Sequence, residues 1–235
     1  MAMVLINDEH LNNIAAAIRE KNGTEETYLP VEMADAIRNI QNAEGLSDID
    51  ELIMQNTYVD YTNNRVTKIG NYTFNKNSKL IGAHFDNVTS IGVSAFEYCT
   101  GLATVDFPNT TIIYSDAFYY CSALTEVVFP KVTEIKEHAF QNCSNLTKID
   151  LPAAQTVDSN AFSGCSKLTA VIFRYGYGVV DTGGSSVGYY PTGAYFYVPS
   201  TLVDTYKSDG SWSSYANRIR AIEDYPEICG TEEAE

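Results

Sequence analysis

Positive charge is what this sequence has least of. Lys and Arg number 15 against 30 Asp and Glu, with 3 His, so the formal net charge is −15 and the pI is near 4.5. An acidic surface repels phosphate backbones and anionic lipid headgroups, which argues against nucleic acid and against a membrane as partner. Long apolar runs are also missing. None approaches the roughly 18–20 residues needed to span a bilayer. The opening "MAMVLINDEHLNN" has no basic stretch and an apolar run of only "MVLI", so no secretory signal peptide is expected. Short cysteine pairs are absent, which removes the usual zinc spacing. The five cysteines are Cys99, Cys121, Cys143, Cys165 and Cys229, and an odd count argues against a disulfide framework.

Signatures of catalysis are absent as well. There is no G-x-S-x-G, H-E-x-x-H, Walker loop or G-x-G-x-x-G. His10, His84 and His138 are scattered along the chain. "DTGG" from Asp181 matches a fragment of the aspartic-protease motif, which needs a β-barrel lobe and a second Asp. "DEH" from Asp8 and "DIDE" from Asp48 read as negative charge at helix N-termini rather than as a cation site. The expectation is a non-enzymatic chain with no catalytic residues, no cofactor and no metal.

What the sequence does contain is one sentence repeated. "AFEYCTGLATVDFP" begins at Ala95, "AFYYCSALTEVVFP" at Ala117 and "AFQNCSNLTKIDLP" at Ala139. The Phe recurs at Phe74, Phe96, Phe118, Phe140 and Phe162, and the Leu at Leu80, Leu102, Leu124, Leu146 and Leu168. Cys99, Cys121, Cys143 and Cys165 keep the same step of 22, and Ile69, Ile91, Ile113, Ile135 and Val157 open each unit. Five units therefore run from about Val66 to Phe173. The L-x-x-V-x-F segment ends with period-two alternation and reads as a short strand. The A-F-x-x-C segment has apolar residues at i, i+1 and i+4, which suits a single helical turn. One strand and one turn per unit predict a solenoid, since a single coil cannot bury its apolar face alone. Strands about 4.8 Å apart would give a parallel sheet about 24 Å wide. The evenly spaced thiols read as buried small hydrophobes, because in-register side chains point the same way rather than at each other.

The pattern I-x-x-x-A-F-x-x-C-x-x-L-x-x-V-x-F-P resembles the BspA-type (treponemal-type) leucine-rich repeat. The resemblance covers roughly Val66 to Phe173 and implies an α/β repeat solenoid of leucine-rich-repeat coils with parallel strands. The first unit departs from it, with Thr73 for Ala, Asn77 for Cys and Asp86 for Pro. The segment "YVPSTLVDTYK", followed by "WSSYANRI", is similar to the module that often closes such arrays. Tyr195 to Val198 reads as a strand, and Ser200 as the cap of a helix ended by Gly210. Trp212, Tyr215, Ile219 and Ile222 supply apolar anchors.

The first 57 residues differ in kind. Leu11, Ile14, Ala15 and Ile18 share one helical face, and Met33, Ala34, Ile37 and Ile40 another. "IAAAIREKNGTEETYLPVEMADAIRNI" resembles a helix–loop–helix segment of tail-associated structural proteins of phages and prophages of Gram-positive bacteria. The resulting organisation is a helical attachment segment over 1–57, a solenoid over 58–174, and a C-terminal cap with acidic tail over 175–235.

Between the repeated strand positions, alternation points Gly82, His84, Thr104, Asp106, Glu126, Val128, Lys148, Asp150, Ala170 and Ile172 outward. Tyr98, Tyr119, Tyr120, Tyr175, Tyr177, Tyr189 and Tyr190 also fall outside the repeated apolar positions, and Tyr suits recognition. These tyrosines, with the outward strand residues other than Gly82 and Ala170, form the candidate recognition surface. The combined resemblances imply a phage or prophage tail protein located in the virion tail. Its helices would attach it to other tail proteins, and its solenoid would bind a host cell-surface protein or glycan. The alternative is a BspA-type adhesin on a bacterial surface or secreted. A homo-oligomer is compatible with either, although no heptad run for a coiled coil is present.

Overall fold

The computed structural model describes residues 59–62, 66–183 and 190–230. The helices expected over residues 1–57 lie outside the described residues, as does Tyr189.

Each coil contributes two strands, where the sequence pattern shows one. The longer set is β1 (Val59–Thr62), β3 (Leu80–His84), β5 (Thr104–Asp106), β7 (Glu126–Val128), β9 (Lys148–Leu151) and β11 (Ala170–Phe173). The shorter set is β2 (Lys68–Ile69), β4 (Ser90–Ile91), β6 (Ile112–Ile113), β8 (Glu134–Ile135) and β10 (Thr156–Val157). All pairings are parallel, and from β2 to β11 they keep the repeat step, as in Gly82 opposite Thr104 and Ile91 opposite Ile113, while β1 joins β3 with a register irregularity between Val59 and Asp60. The long ladder runs β1-β3-β5, breaks, and resumes at β7-β9-β11. Two residues cannot display an alternation, so the sequence does not show the short strands; only the second residue of each pair is buried. β1 pairs with β3, so the array begins one strand before Val66.

The A-F-x-x-C segments are turns rather than the expected helical turn. Two residues per coil take positive φ: Ser94 and Tyr98, then Asp116 and Tyr120, His138 and Asn142, Asn160 and Gly164. A left-handed residue before Ala and another before Cys cannot continue a right-handed helix. The backbone N–H groups turn outward along the stack instead. Phe96 N–H donates to the Ala117 carbonyl at 2.7 Å, Phe118 to Ala139 at 2.7 Å and Phe140 to Ala161 at 2.8 Å. A third hydrogen-bonded strip thus joins coil to coil beside the two sheets.

Side chains repeat the same logic inside. Phe74, Phe96, Phe118, Phe140 and Phe162 stack with centroids 4.8, 5.1, 5.0 and 5.5 Å apart. Each ladder thiol donates to a carbonyl of the preceding coil: Cys99 to Phe74 at 2.9 Å, Cys121 to Phe96 at 3.1 Å, Cys143 to Phe118 at 3.1 Å and Cys165 to Phe140 at 3.0 Å. All five cysteines are free and buried, and burial pushes the Cys99 thiol up to about 12. On the rim, Thr111 and Thr133 hydroxyls donate to the Thr89 and Thr111 carbonyls of the coil before.

The cap extends the sheet. β12 (Tyr195–Val198) pairs with β11, and β13 (Ile219–Ala221) pairs with β12. Between them lie a 3-10 turn Ser200–Leu202 and α1 (Val203–Ser208). Ser200 makes no side-chain cap; its hydroxyl donates to Glu223 at 3.0 Å, and α1 stops at Ser208, two residues before Gly210. Tyr206 and Trp212 close the open end: the Tyr206 hydroxyl accepts the Val180 N–H, and Trp212 Nε1 donates to the Val180 carbonyl, both at 2.9 Å. Asp181 to Gly183, the described part of "DTGG", belong to a degenerate further coil. Asp181 bridges Thr156 in parallel, its Oδ1 accepts the Gly183 N–H at 3.0 Å, and Gly183 takes the left-handed φ of 70°. Helix in the described residues is thus confined to the cap.

Phe118 stacks on neighbours from both adjacent coils and is fully buried. Phe118→Ala is expected to lower unfolding free energy by about 3–5 kcal/mol, read from a urea melt.

Candidate recognition surface

The outer face of the long sheet carries two columns. One runs Gly82, Thr104, Glu126, Lys148, Ala170, Tyr195; the other runs His84, Asp106, Val128, Asp150, Ile172, Tyr197, Arg220. Register between β5 and β7 follows from the repeat step. Thr104, Asp106, Glu126 and Val128 are exposed, Val128 at 52%, while His84 and Lys148 are half-buried. Glu126 stands opposite Lys148, so the open half is polar with one exposed branched apolar side chain.

Three expected members of this surface are buried. Ile172 and Asp150 are covered by the chain's own end, where α2 (Pro226–Cys229) follows β13 and a 3-10 turn over Ile222–Asp224. Ile222, Tyr225, Ile228 and Cys229 form a cluster with Ala170, Ile172 and Tyr197 on the outer side, separate from the main core. Arg174 latches this strap. Its guanidinium donates to both Asp150 carboxylate oxygens, at 2.9 and 3.2 Å, and to the Cys229 carbonyl. Tyr190 ends the Phe stack instead of facing solvent, 5.7 Å from Phe162 and 4.8 Å from Phe196. Sequence reasoning missed Arg174, Ile222 and Cys229 as a unit. A signal existed: "AVIF" at 170–173 is apolar throughout, the mark of a strand buried on both faces, whereas "TVD" and "EVV" are not.

The tyrosines split into groups. Tyr98, Tyr119 and Tyr120 converge on the turn strip, with Tyr98 stacked on Tyr120 at 5.0 Å and Tyr119 edge-on to them at 5.6 and 4.8 Å. Tyr98 and Tyr120 are exposed and Tyr119 is partly buried. Tyr175 and Tyr177 form a second pair at 5.6 Å, with Tyr177 projecting furthest into solvent. Acidic groups flank the first cluster. Burial raises the Asp116 carboxyl above its ordinary value; His138, 3.7 Å away, opposes that, and Glu97 and Glu137 add to it. Among the described residues, no group of three or more His, Cys, Asp or Glu is placed to hold a metal ion, and no helix is long and apolar enough to cross a membrane.

Stacked parallel coils with one short strand, one longer strand and a turn strip define the leucine-rich-repeat class of solenoid. The family model for the BspA type leucine rich repeat region matches residues 33–123 and 111–183, in six copies, and the chain belongs to that family. Among solved structures, the pneumococcal vaccine antigen PcpA is 18% identical, with a TM-score of 0.57 over 72% of this chain and 41% of its own. A Treponema pallidum leucine-rich repeat protein is 21% identical, TM-score 0.48, over 71% of this chain and 78% of its own. A leucine-rich cell surface protein of Faecalibacterium prausnitzii is 26% identical, TM-score 0.45, over 50% and 32%. No curated protein matches the chain.

Two tests follow. In the native protein the thiols should resist iodoacetamide. Arg174→Ala leaves Asp150 buried without its partner, a loss of about 3–5 kcal/mol for such pairs. It should therefore speed labelling of Cys229 at least about tenfold, with the four ladder thiols unchanged by peptide mass mapping; an unchanged Cys229 rate would remove the latch. The second concerns pH. The Asp116 pKa is higher folded than unfolded, so the folded state binds that proton more tightly, and stability falls as pH rises from 3.8 through the raised value. Asp116→Asn should flatten that fall and leave the protein at least as stable at pH 7, seen in melts across the range.

Proposed function

We propose that this protein is a non-enzymatic, adhesin-type recognition protein that works at a bacterial surface or after secretion and binds a host cell-surface protein. The observation that supports it most is a contrast between columns. Inside, Phe and Leu recur in all five units, Cys in the last four and Ile in the first four; on the open outer face, Thr104, Glu126 and Lys148 differ at each coil, as do His84, Asp106 and Val128. The invariant letters hold the stack and the variable ones are free to be complementary to a partner. The outer face is carried on strands hydrogen-bonded coil to coil, a pre-organised arrangement in which little ordering entropy opposes binding. The strap confines the available sheet face to His84 through Lys148, and the tyrosines of the turn strip add a second contact edge.

The helix–loop–helix resemblance of residues 14–40 favours a second reading, in which those residues attach the chain to a phage or prophage tail, with sister copies or other tail proteins, and the same surface binds a receptor. Residues 1–57 lie outside the described residues, and none of the three structures named above is a phage protein, so the surface-protein reading is the better supported.

The test is binding of the full chain to a panel of purified host-surface and matrix proteins by biolayer interferometry. Val128→Asp, at an exposed position, should keep the melting midpoint and weaken the bound partner at least about tenfold, as central interface positions do. A panel without any specific binder, or a binder indifferent to the outer face, would count against the reading.

A further inference from the structure

The turn strip holds a feature that the repeat itself does not require. Its second left-handed position is filled by Lys76, Tyr98, Tyr120, Asn142 and Gly164 along the stack, with φ of 63°, 59°, 58°, 62° and 75°. Asn and Gly are the residues that tolerate this conformation, and a large aromatic ring is not favoured there. The central two coils nevertheless carry Tyr, and Tyr119 from the neighbouring column completes a three-ring cluster.

The setting of the cluster is acidic. Glu97 lies beside Tyr98 in sequence and one coil before Tyr119, and its Oε2 accepts the Asn75 amide at 2.8 Å. The charges of Glu97 and Glu137 act on Asp116, whose Oδ1 lies 3.7 Å from His138 Nδ1, and His138 Nε2 lies 3.5 Å from Glu137. Lys76 and Lys136 are the lysines of these turns, and Lys136 is committed to Glu134 at 2.8 Å. Asp116, under the negative charge of Glu97 and Glu137 and acting in turn on the Tyr119 phenol, leaves three carboxylates around one imidazole, so the cluster is short of positive charge. A guanidinium suits both rings and carboxylates, since it lies flat on a ring and pairs a carboxylate with a fork of donors.

We infer that the Tyr98–Tyr119–Tyr120 cluster, with Glu97 and Asp116, is a docking site for an arginine-bearing segment of a partner protein. The inference rests on the protein-recognition reading above and assigns the chemistry of one contact edge. A glycan would use the same rings through their apolar faces but has no positive charge to place among the carboxylates.

The probe is a hexa-arginine peptide, with its hexa-citrulline counterpart as the uncharged isostere, titrated calorimetrically into the full chain at physiological salt. Tyr98→Asn/Tyr120→Asn is the key variant, because the array already uses Asn at this position in Asn142 and the fold is therefore kept. The arginine peptide should bind and the citrulline peptide should not. The double variant and Asp116→Asn should each weaken binding at least about fivefold with unchanged melting midpoints, while Asp204→Asn, a remote exposed acid, should not. Equal binding by the double variant would reduce the effect to bulk charge and overturn the assignment. So would no arginine binding, or a glycan array hit that the double variant abolishes while arginine peptide stays unbound. Retained binding of a panel protein alongside any of these would leave the recognition reading standing and remove only this site.

Discussion

Everything in this molecule depends on coil-to-coil hydrogen bonding and stacking at a fixed step. A two-residue strand, a three-residue strand and a turn with two left-handed residues are each unstable alone. Stacked, their N–H and C=O groups pair between coils on three sides, and the thiols take up further carbonyls within. The apolar side chains that this brings together form one continuous core from Val66 to Ile219. The repeat is therefore strict where groups from successive coils must meet and loose elsewhere.

That constraint explains which features were legible. Phe, Leu, Cys and Ile recur because each fills the same place in the shared core of successive coils, so their periodicity reported the solenoid, its parallel sheet and its buried thiols. The left-handed residues left no such mark, because Ser94, Asp116, His138 and Asn160 share a conformation and not a side chain. Without that information, A-F-x-x-C reads as a helical turn. The degenerate coil at Asp181 to Gly183 was obscured for a related reason: glycine meets the backbone requirement but drops the side chains by which a repeat is recognised.

The candidate surface was half legible. Alternation placed Thr104, Asp106, Glu126 and Val128 correctly, since it is a local property of each strand. It failed at Asp150 and Ile172 because their cover comes from Ile222 to Cys229, far along the chain, through one arginine whose role is set by three-dimensional proximity. Tyr190 was misplaced likewise: a cap must present an aromatic ring to the last Phe of the stack, and no local pattern distinguishes that tyrosine from a solvent-facing one. The outcome is a sheet face divided into an open variable half and a strapped half, with an aromatic edge alongside.

Native-state hydrogen exchange at single-amide resolution tests the stacking claim most directly. The amides of Phe96, Phe118 and Phe140, which donate across coils from the turn strip, should be protected as strongly as those of the paired strands, with protection declining toward the ends of the array. Turn amides that exchange like open loops while the strands stay protected would contradict the account, since the coils would then be held by their sheets alone.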